Sequence, residues 1–273
     1  MPPRIAETIT QELPFVYDVG DPEIDVKGRE DMVQSLIETL YRKRMQNCVL
    51  VGPPGVGKTA LVREVARRLR DTYKFVSVDI NALESGTDLR GSFEDRMLHL
   101  AAAVRRHENN YREKVVLFID EIHTICTAGA IRAKETELTA ANILKPYISD
   151  GRLRVWGATT VPEYASTIGR DKALMRRLPP VYVEEISMEQ TIEVLKSFSH
   201  EEKVPDTVIR LAYELSLKIP GTNPDKSIDI VDRAISKKRL YGDKISWEET
   251  VKKSYSEVSM SMEAMKKILL QKE

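Results

Sequence analysis

Gly52-Pro53-Pro54-Gly55-Val56-Gly57-Lys58-Thr59 is the stretch that decides the fold. It fits the pattern G-x-x-x-x-G-K-[ST], in which glycines let backbone N–H groups turn inward around phosphate oxygens. The apolar run Cys48-Val49-Leu50-Val51 precedes it, and helical spacing over residues 57–70 follows. A bare Gly-Pro turn would not need that strand–loop–helix setting. The helix N-terminus adds a partial positive charge. Lys58 supplies a full charge for the outer phosphates, the Thr59 hydroxyl can ligate magnesium, and Ala60 continues the first helical turn. The expected ligand is ATP with Mg2+.

A second stretch completes the chemistry. Val115-Val116-Leu117-Phe118-Ile119-Asp120-Glu121 is an apolar strand ending in two acids. Such a strand delivers its carboxylates to the sheet edge where ligands sit in open α/β folds. Asp120 can hold the magnesium through water, and Glu121 can orient and polarise an attacking water. His99, His107, His123 and His200 have no partners at metal-ligand spacing, and His123 is expected to pack.

Around these motifs, strand patterns near 47–51, 75–80, 115–119, 153–158 and 181–184 alternate with helical patterns near 57–70, 92–107 and 136–148. That rhythm predicts a mainly parallel five-stranded sheet in an α/β domain over 25–187. Residues 1–24, broken by Pro2, Pro3, Pro14 and Pro22, read as an irregular arm. After residue 187 only helical patterns remain, near 188–200, 205–217, 225–240, 247–256 and 258–271, so 188–273 is expected to form a small all-helical lid domain. Ser187 and Asp225 are the expected helix N-caps.

The bulk numbers exclude several classes. Of 273 residues, 42 are basic and 42 acidic, which argues against a dedicated nucleic-acid binder. The densest basic cluster, Arg63, Arg67, Arg68 and Arg70, reads as a solvated helix face. Cys48 and Cys126 form no disulfide framework or zinc pattern, which suits a reducing cytoplasm. No apolar run approaches the ~20 residues needed to span a bilayer, and no signal region stands at the N-terminus.

The sequence resembles the AAA+ ATPases, and among them the first nucleotide-binding domain of the Clp unfoldases and disaggregases. The resemblance covers roughly residues 15–260. Its most specific stretches are Ile119-Asp120-Glu121-Ile122-His123-Thr124-Ile125, Ala141-Asn142-Ile143-Leu144-Lys145-Pro146, Gly157-Ala158-Thr159-Thr160, Arg170-Asp171-Lys172-Ala173-Leu174-Met175-Arg176-Arg177 and Pro224-Asp225-Lys226-Ser227-Ile228-Asp229. The resemblance implies that Thr160 is a polar sensor of the γ-phosphate. It implies that Arg176 and Arg177 are arginine fingers reaching a neighbouring subunit's site, in a homo-oligomeric ring taken as a hexamer. Val26, in Val26-Lys27-Gly28-Arg29, corresponds to an adenine contact.

The chain also departs from the family. Leu89, in Gly86-Thr87-Asp88-Leu89-Arg90-Gly91-Ser92-Phe93-Glu94, stands where the family carries a polypeptide-gripping aromatic. Thr127 to Glu135 occupies the place of a second pore loop but is poorer in glycine. Leu178-Pro179 replaces the usual aromatic after the fingers. Counterparts of the family's substrate domain, coiled-coil insertion and second ring are not seen, and no Gly-Phe dipeptide offers a docking tripeptide for a ClpP-type protease. Two functions follow as expectations. The first is an ATP-hydrolysing ring motor that remodels protein. The second is a nucleotide-gated scaffold that assembles on a partner complex, nucleic acid included, without threading.

Overall fold

The structure is a computed structural model and describes residues 9, 13–21, 26–84, 90–111, 113–126 and 140–270. The chain divides into two compact units, one of Met1–Pro22, Asp31–Gly52 and Lys58–Val183, the other of Glu23–Glu30, Pro53–Gly57 and Glu184–Glu273.

The first unit is built on a six-stranded sheet: β1 (Val16–Asp18), β2 (Cys48–Val51), β3 (Tyr73–Val78), β4 (Lys114–Ile119), β5 (Arg154–Thr159) and β6 (Pro180–Tyr182). The spatial order is β1-β3-β4-β5-β2-β6. Five strands are parallel, and β1 pairs antiparallel with β3. The expected five strands are therefore joined by a sixth, taken from the stretch read as an irregular arm. Three residues between Pro14 and Gly20 carry too short a pattern to announce a strand, and pairing of Val16 with Val78 supplies what local sequence does not.

The helices of this unit are α1 (Glu30–Tyr41), α2 (Lys58–Arg68), α3 (Ile80–Glu84), α4 (Arg90–Tyr111), α5 (Ala140–Ser149), α6 (Val161–Ser166) and α7 (Lys172–Met175). Strand β4 is buried on both faces from Val115 to Ile119, as a central parallel strand covered by helices must be. Helix α4 turns Met97, Leu100 and Val104 into the same core as Val115, Leu117 and Ile119. Trp156 is fully buried, stacks edge-on against Phe75 at 5.3 Å, and donates its indole N–H to the Gln46 carbonyl at 2.9 Å. In the basic cluster, Arg67 and Arg68 both bind the buried Glu64 on their own helix.

The second unit holds α8 (Met188–Phe198), α9 (Asp206–Ser216), α10 (Asp225–Tyr241) and α11 (Trp247–Leu270). They pack around Leu195, Ile209, Ala212, Ile230, Val231, Ala234 and Val251. Ser187 is the N-cap of α8 and accepts from the Gln190 N–H at 3.3 Å. Asp225 is not a cap: Pro224 holds that position and Asp225 is the first helical residue, where its charge still faces the helix N-terminus. The two helices expected over 247–271 are one, because no glycine or proline interrupts the run. Among the described residues, no helix is long and apolar enough to cross a membrane.

Candidate functional site

Parallel pairing lines up the strand ends. Val51 lies beside Thr159, and Ile119 beside Gly157, so Gly52, Asp120 and Thr160 leave the sheet at the same edge. Strand β5 runs between the loop strand and the acid strand. Its last residues thus sit between Gly52 and Asp120.

Gly52 is buried, and its N–H donates to the Thr159 carbonyl at 3.2 Å. A Cβ there would fall 2.2 Å from the Val183 carbonyl oxygen, so only glycine fits. Lys58 opens α2, and its ammonium donates to the Gly52 carbonyl at 2.9 Å. Burial lowers the Lys58 pKa from its usual value, opposed by the charges of Asp120, Glu121 and Glu163. The Thr59 hydroxyl donates to Asp120 Oδ2 at 3.1 Å, joining the two motifs. Ala60 is half-buried beside them in the first turn of α2.

The remaining loop residues, Pro53 to Gly57, group with the second unit. Pro53 and Pro54 are exposed, and Val56 is buried. Gly55 and Gly57 have φ of 73° and 93°, the left-handed region that glycine adopts without strain. At Gly55 a Cβ would also meet the Asp225 Cβ at 2.6 Å. The Arg29 guanidinium donates to the carbonyls of Val56 at 3.0 Å and Glu184 at 2.6 Å. Val26 is half-buried. The clasp by Arg29 was not legible in sequence, since an arginine beside a glycine carries no signal for two distant carbonyls.

The acid end of β4 is unusual in its backbone. Glu121 has φ of 51°, a costly conformation for a residue with a side chain. Its N–H donates to Asp120 Oδ1 at 3.0 Å. The Glu121 carboxylate is exposed, and His123 Nδ1 lies 3.4 Å from its Oε2. His123, expected to pack, is instead a polar hub. The same Nδ1 is 2.9 Å from Thr159 Oγ1 and 3.5 Å from Glu163 Oε2. Thr160 caps α6 and donates both its hydroxyl, at 2.7 Å, and its N–H, at 3.2 Å, to Glu163 Oε2. These bonds, the Thr160 hydroxyl first, hold the Glu163 carboxyl below its usual range. Glu163 escaped the sequence reading, although Thr160 with Glu three residues on is a capping-box pattern.

Arg176 and Arg177 follow α7 and do not join this cluster. Arg176 is exposed. Arg177 donates to the Ala173 carbonyl at 2.8 Å and to the Ser149 hydroxyl. Asp171 caps α7 through the N–H groups of Ala173 and Leu174, and pairs with Lys145. Leu89 and the stretch Thr127 to Glu135 lie outside the described residues.

The fit to a metal-bound triphosphate can be judged from these contacts. Thr59 and Asp120 present oxygens 3.1 Å apart at the helix start, a hard donor pair of the kind magnesium takes.

Comparison with known proteins agrees with this geometry. Residues 48–178 match the ATPase family associated with various cellular activities (AAA). The chaperone protein ClpB of Aquifex aeolicus (strain VF5) is 42% identical over 236 residues, 81% of this chain and 22% of that protein. The Clp protease ATP-binding subunit ClpE of Lactococcus lactis subsp. lactis (strain IL1403) is 40% identical over 235 residues, 80% of this chain and 30% of that one. The chain thus spans about a quarter of the length of these relatives. Among solved structures, Hsp104 in its closed state with ATPγS and FITC-casein superposes with a TM-score of 0.75 at 29% identity, over 92% of this chain and 45% of that one. The S. cerevisiae Hsp104:casein complex in its extended conformation gives 0.70 at 30% identity, over 86% and 42%. The strand order, the paired loop and acid motifs and these similarities together show that the chain carries an AAA ATPase domain of the Clp unfoldase and disaggregase family.

Proposed function

We propose that this chain hydrolyses ATP as part of a ring that remodels or unfolds protein. The observation that carries the reading is the 3.1 Å contact of Thr59 with Asp120, which sets a phosphate loop against an acid-tipped strand. The loop N–H groups and Lys58 would hold the β- and γ-phosphates. Thr59 and Asp120 would hold Mg2+, which neutralises charge on the phosphoryl group when bound. Glu121 orients the water for in-line attack, and Thr160 offers its hydroxyl to the γ-phosphate. Val26 borders the adenine.

Arg176 and Arg177 complete a neighbour's site in this reading. Supporting that, Arg177 is anchored to Ser149 and Ala173 of its own chain, and Arg176 is exposed beside it. A ring, most simply a hexamer, follows, working in a reducing cytoplasm. The solved relatives were captured with casein, which supports a protein substrate. The scaffold reading is favoured by Leu89, since leucine lacks the flat ring that grips a moving chain. ATPase activity measured with unfolded protein, with DNA and with neither separates the two. Stimulation by unfolded protein alone supports the motor, and stimulation by DNA alone overturns it.

The interface is tested by mixing. Arg176→Ala with Arg177→Ala should lower turnover by about 10³–10⁵, while ATP still binds. Adding Glu121→Gln subunits, which keep their arginines, should restore activity. No recovery in rings shown to be mixed would overturn action between subunits.

A further inference from the structure

The Thr160 hydroxyl has one proton to donate, and in this structure that proton goes to Glu163 Oε2 at 2.7 Å. A phosphate oxygen is an acceptor only. Thr160 therefore cannot donate to a γ-phosphate while it donates to Glu163. We propose that Glu163 is a positioning residue that parks the Thr160 hydroxyl, so that leaving Glu163 is part of assembling the hydrolytic site. The inference rests on the sensor role given to Thr160 above.

The surroundings of Glu163 fit such a latch. A single oxygen, Oε2, gathers the Thr160 hydroxyl, the Thr160 N–H and the Thr159 hydroxyl at 3.2 Å. With the Thr159 proton assigned to Glu163 at 3.2 Å, the Thr159 oxygen is the acceptor for the His123 tautomer that carries its proton on Nδ1, 2.9 Å away. That same Nδ1 lies 3.4 Å from Glu121 Oε2 and 3.5 Å from Glu163 Oε2. Three oxygens thus surround Nδ1, with Thr159 Oγ1 the nearest. When Thr160 departs, Glu163 loses its shortest donor and becomes the stronger competitor for His123. Glu121 is the acceptor that gives way and is released toward water. The hydroxyl that senses phosphate and the carboxylate that orients water are thereby linked through Glu163 and His123. The ligand atoms of Glu121, His123 and Glu163 lie within 4.8 Å of one another.

The test uses the full chain with Glu163→Gln, Thr160→Ala and both changes, reading kcat and KM for ATP. Glutamine keeps the capping box at the third helical position but is a neutral and weaker acceptor. Release becomes easier, and kcat should rise about fivefold with KM little changed. Thr160→Ala should lower kcat, and adding Glu163→Gln to it should change nothing more. Glu163→Asp keeps the charge but withdraws it by one methylene, so it too should raise kcat, which covers a failure of the glutamine variant to fold. If Thr160→Ala lowers kcat while neither Glu163 variant raises it, or if Glu163→Gln acts equally without Thr160, the latch is wrong and the sensor role stands. If Thr160→Ala leaves kcat unchanged, the sensor role falls and the latch with it.

Discussion

The two edges of one sheet are built from the same strands and are wired in opposite ways. At the N-terminal edge of β4 and β5, Arg154, Glu108, Gln46 and Asn47 form a closed hydrogen-bonded network. Arg154 donates to Glu108 at 2.6 Å and to Gln46 at 2.7 Å. Glu108 also accepts the Val115 N–H, Asn47 accepts the Val155 N–H, and Gln46 turns its amide N–H to the carbonyls of Leu40 and Arg42. At the C-terminal edge partners are shared rather than paired one to one: Glu163 Oε2 takes the Thr160 hydroxyl, the Thr160 N–H and the Thr159 hydroxyl, and His123 Nδ1 has Thr159 Oγ1, Glu121 Oε2 and Glu163 Oε2 within 3.5 Å. A matched network fixes one geometry. An unmatched one leaves groups able to change partners when a ligand supplies new ones.

The comparison predicts different losses. Glu121→Gln at the C-terminal edge should cut turnover by about 10²–10⁴, the largest effect expected from the variants that compare the two edges. ATP affinity and melting temperature should hold, because the carboxylate is 58% exposed and its backbone is set by Asp120. Near-normal hydrolysis by this variant would remove Glu121 from the mechanism.

Arg154→Ala at the opposite edge should do the reverse. It strips Glu108 and Gln46 of a shared donor in a place where only 15% of the arginine side chain is exposed. The expected cost is about 2–4 kcal/mol of stability, read by denaturant titration. Turnover and KM per folded molecule should be unchanged. A selective fall in kcat would mean that the two edges are coupled through β5 rather than independent.

Legibility in the sequence follows the same division. The C-terminal edge was readable because phosphate chemistry constrains spacing within a short segment: Gly52 to Thr59, and Ile119 to Glu121. The buried parallel strands were readable as apolar runs. The sixth strand was not, because Val16–Asp18 is defined by its partner β3 and not by its own composition. The contacts of Arg154 with Gln46 and of Arg29 with Glu184 cross 108 and 155 residues. Nothing local in either segment marks such a partner. Glu163 lay within a readable capping pattern, but the merging of that cap with the Thr159 and His123 cluster is a tertiary fact. In the helical unit, the two helices expected over 247–256 and 258–271 are the single α11, Trp247–Leu270, and no local residue type marks a break between them.

The smallest expected effect distinguishes the edges by pH. His107 is the exception in the matched network. Its side chain is 3% exposed, it stacks on Tyr111 at 4.6 Å, and its Nε2 is 3.8 Å from Glu113 Oε2, neither atom having a hydrogen-bond partner among the described residues. Burial lowers its pKa from 6.5, outweighing the upward pull of Glu113 and Glu108, and Lys74 adds to the lowering. The unfolded chain therefore binds this proton more readily than the folded one. Stability from the neutral ring is complete above pH 6.5 and is lost as pH falls through the lower folded value. Glu163 behaves alike at more acid pH: its pKa is lowered from 4.5, so its contribution is complete above 4.5 and lost below. Acidification should thus loosen the N-terminal edge first. Thermal melts from about pH 7.5 to about pH 5 should show a decline that His107→Phe, which keeps the ring and removes the proton site, makes shallower. Glu163→Gln should leave that limb as it is. If His107→Phe melts with the same pH slope as the parent, the decline belongs to other groups, and His107 is as settled as the network around it.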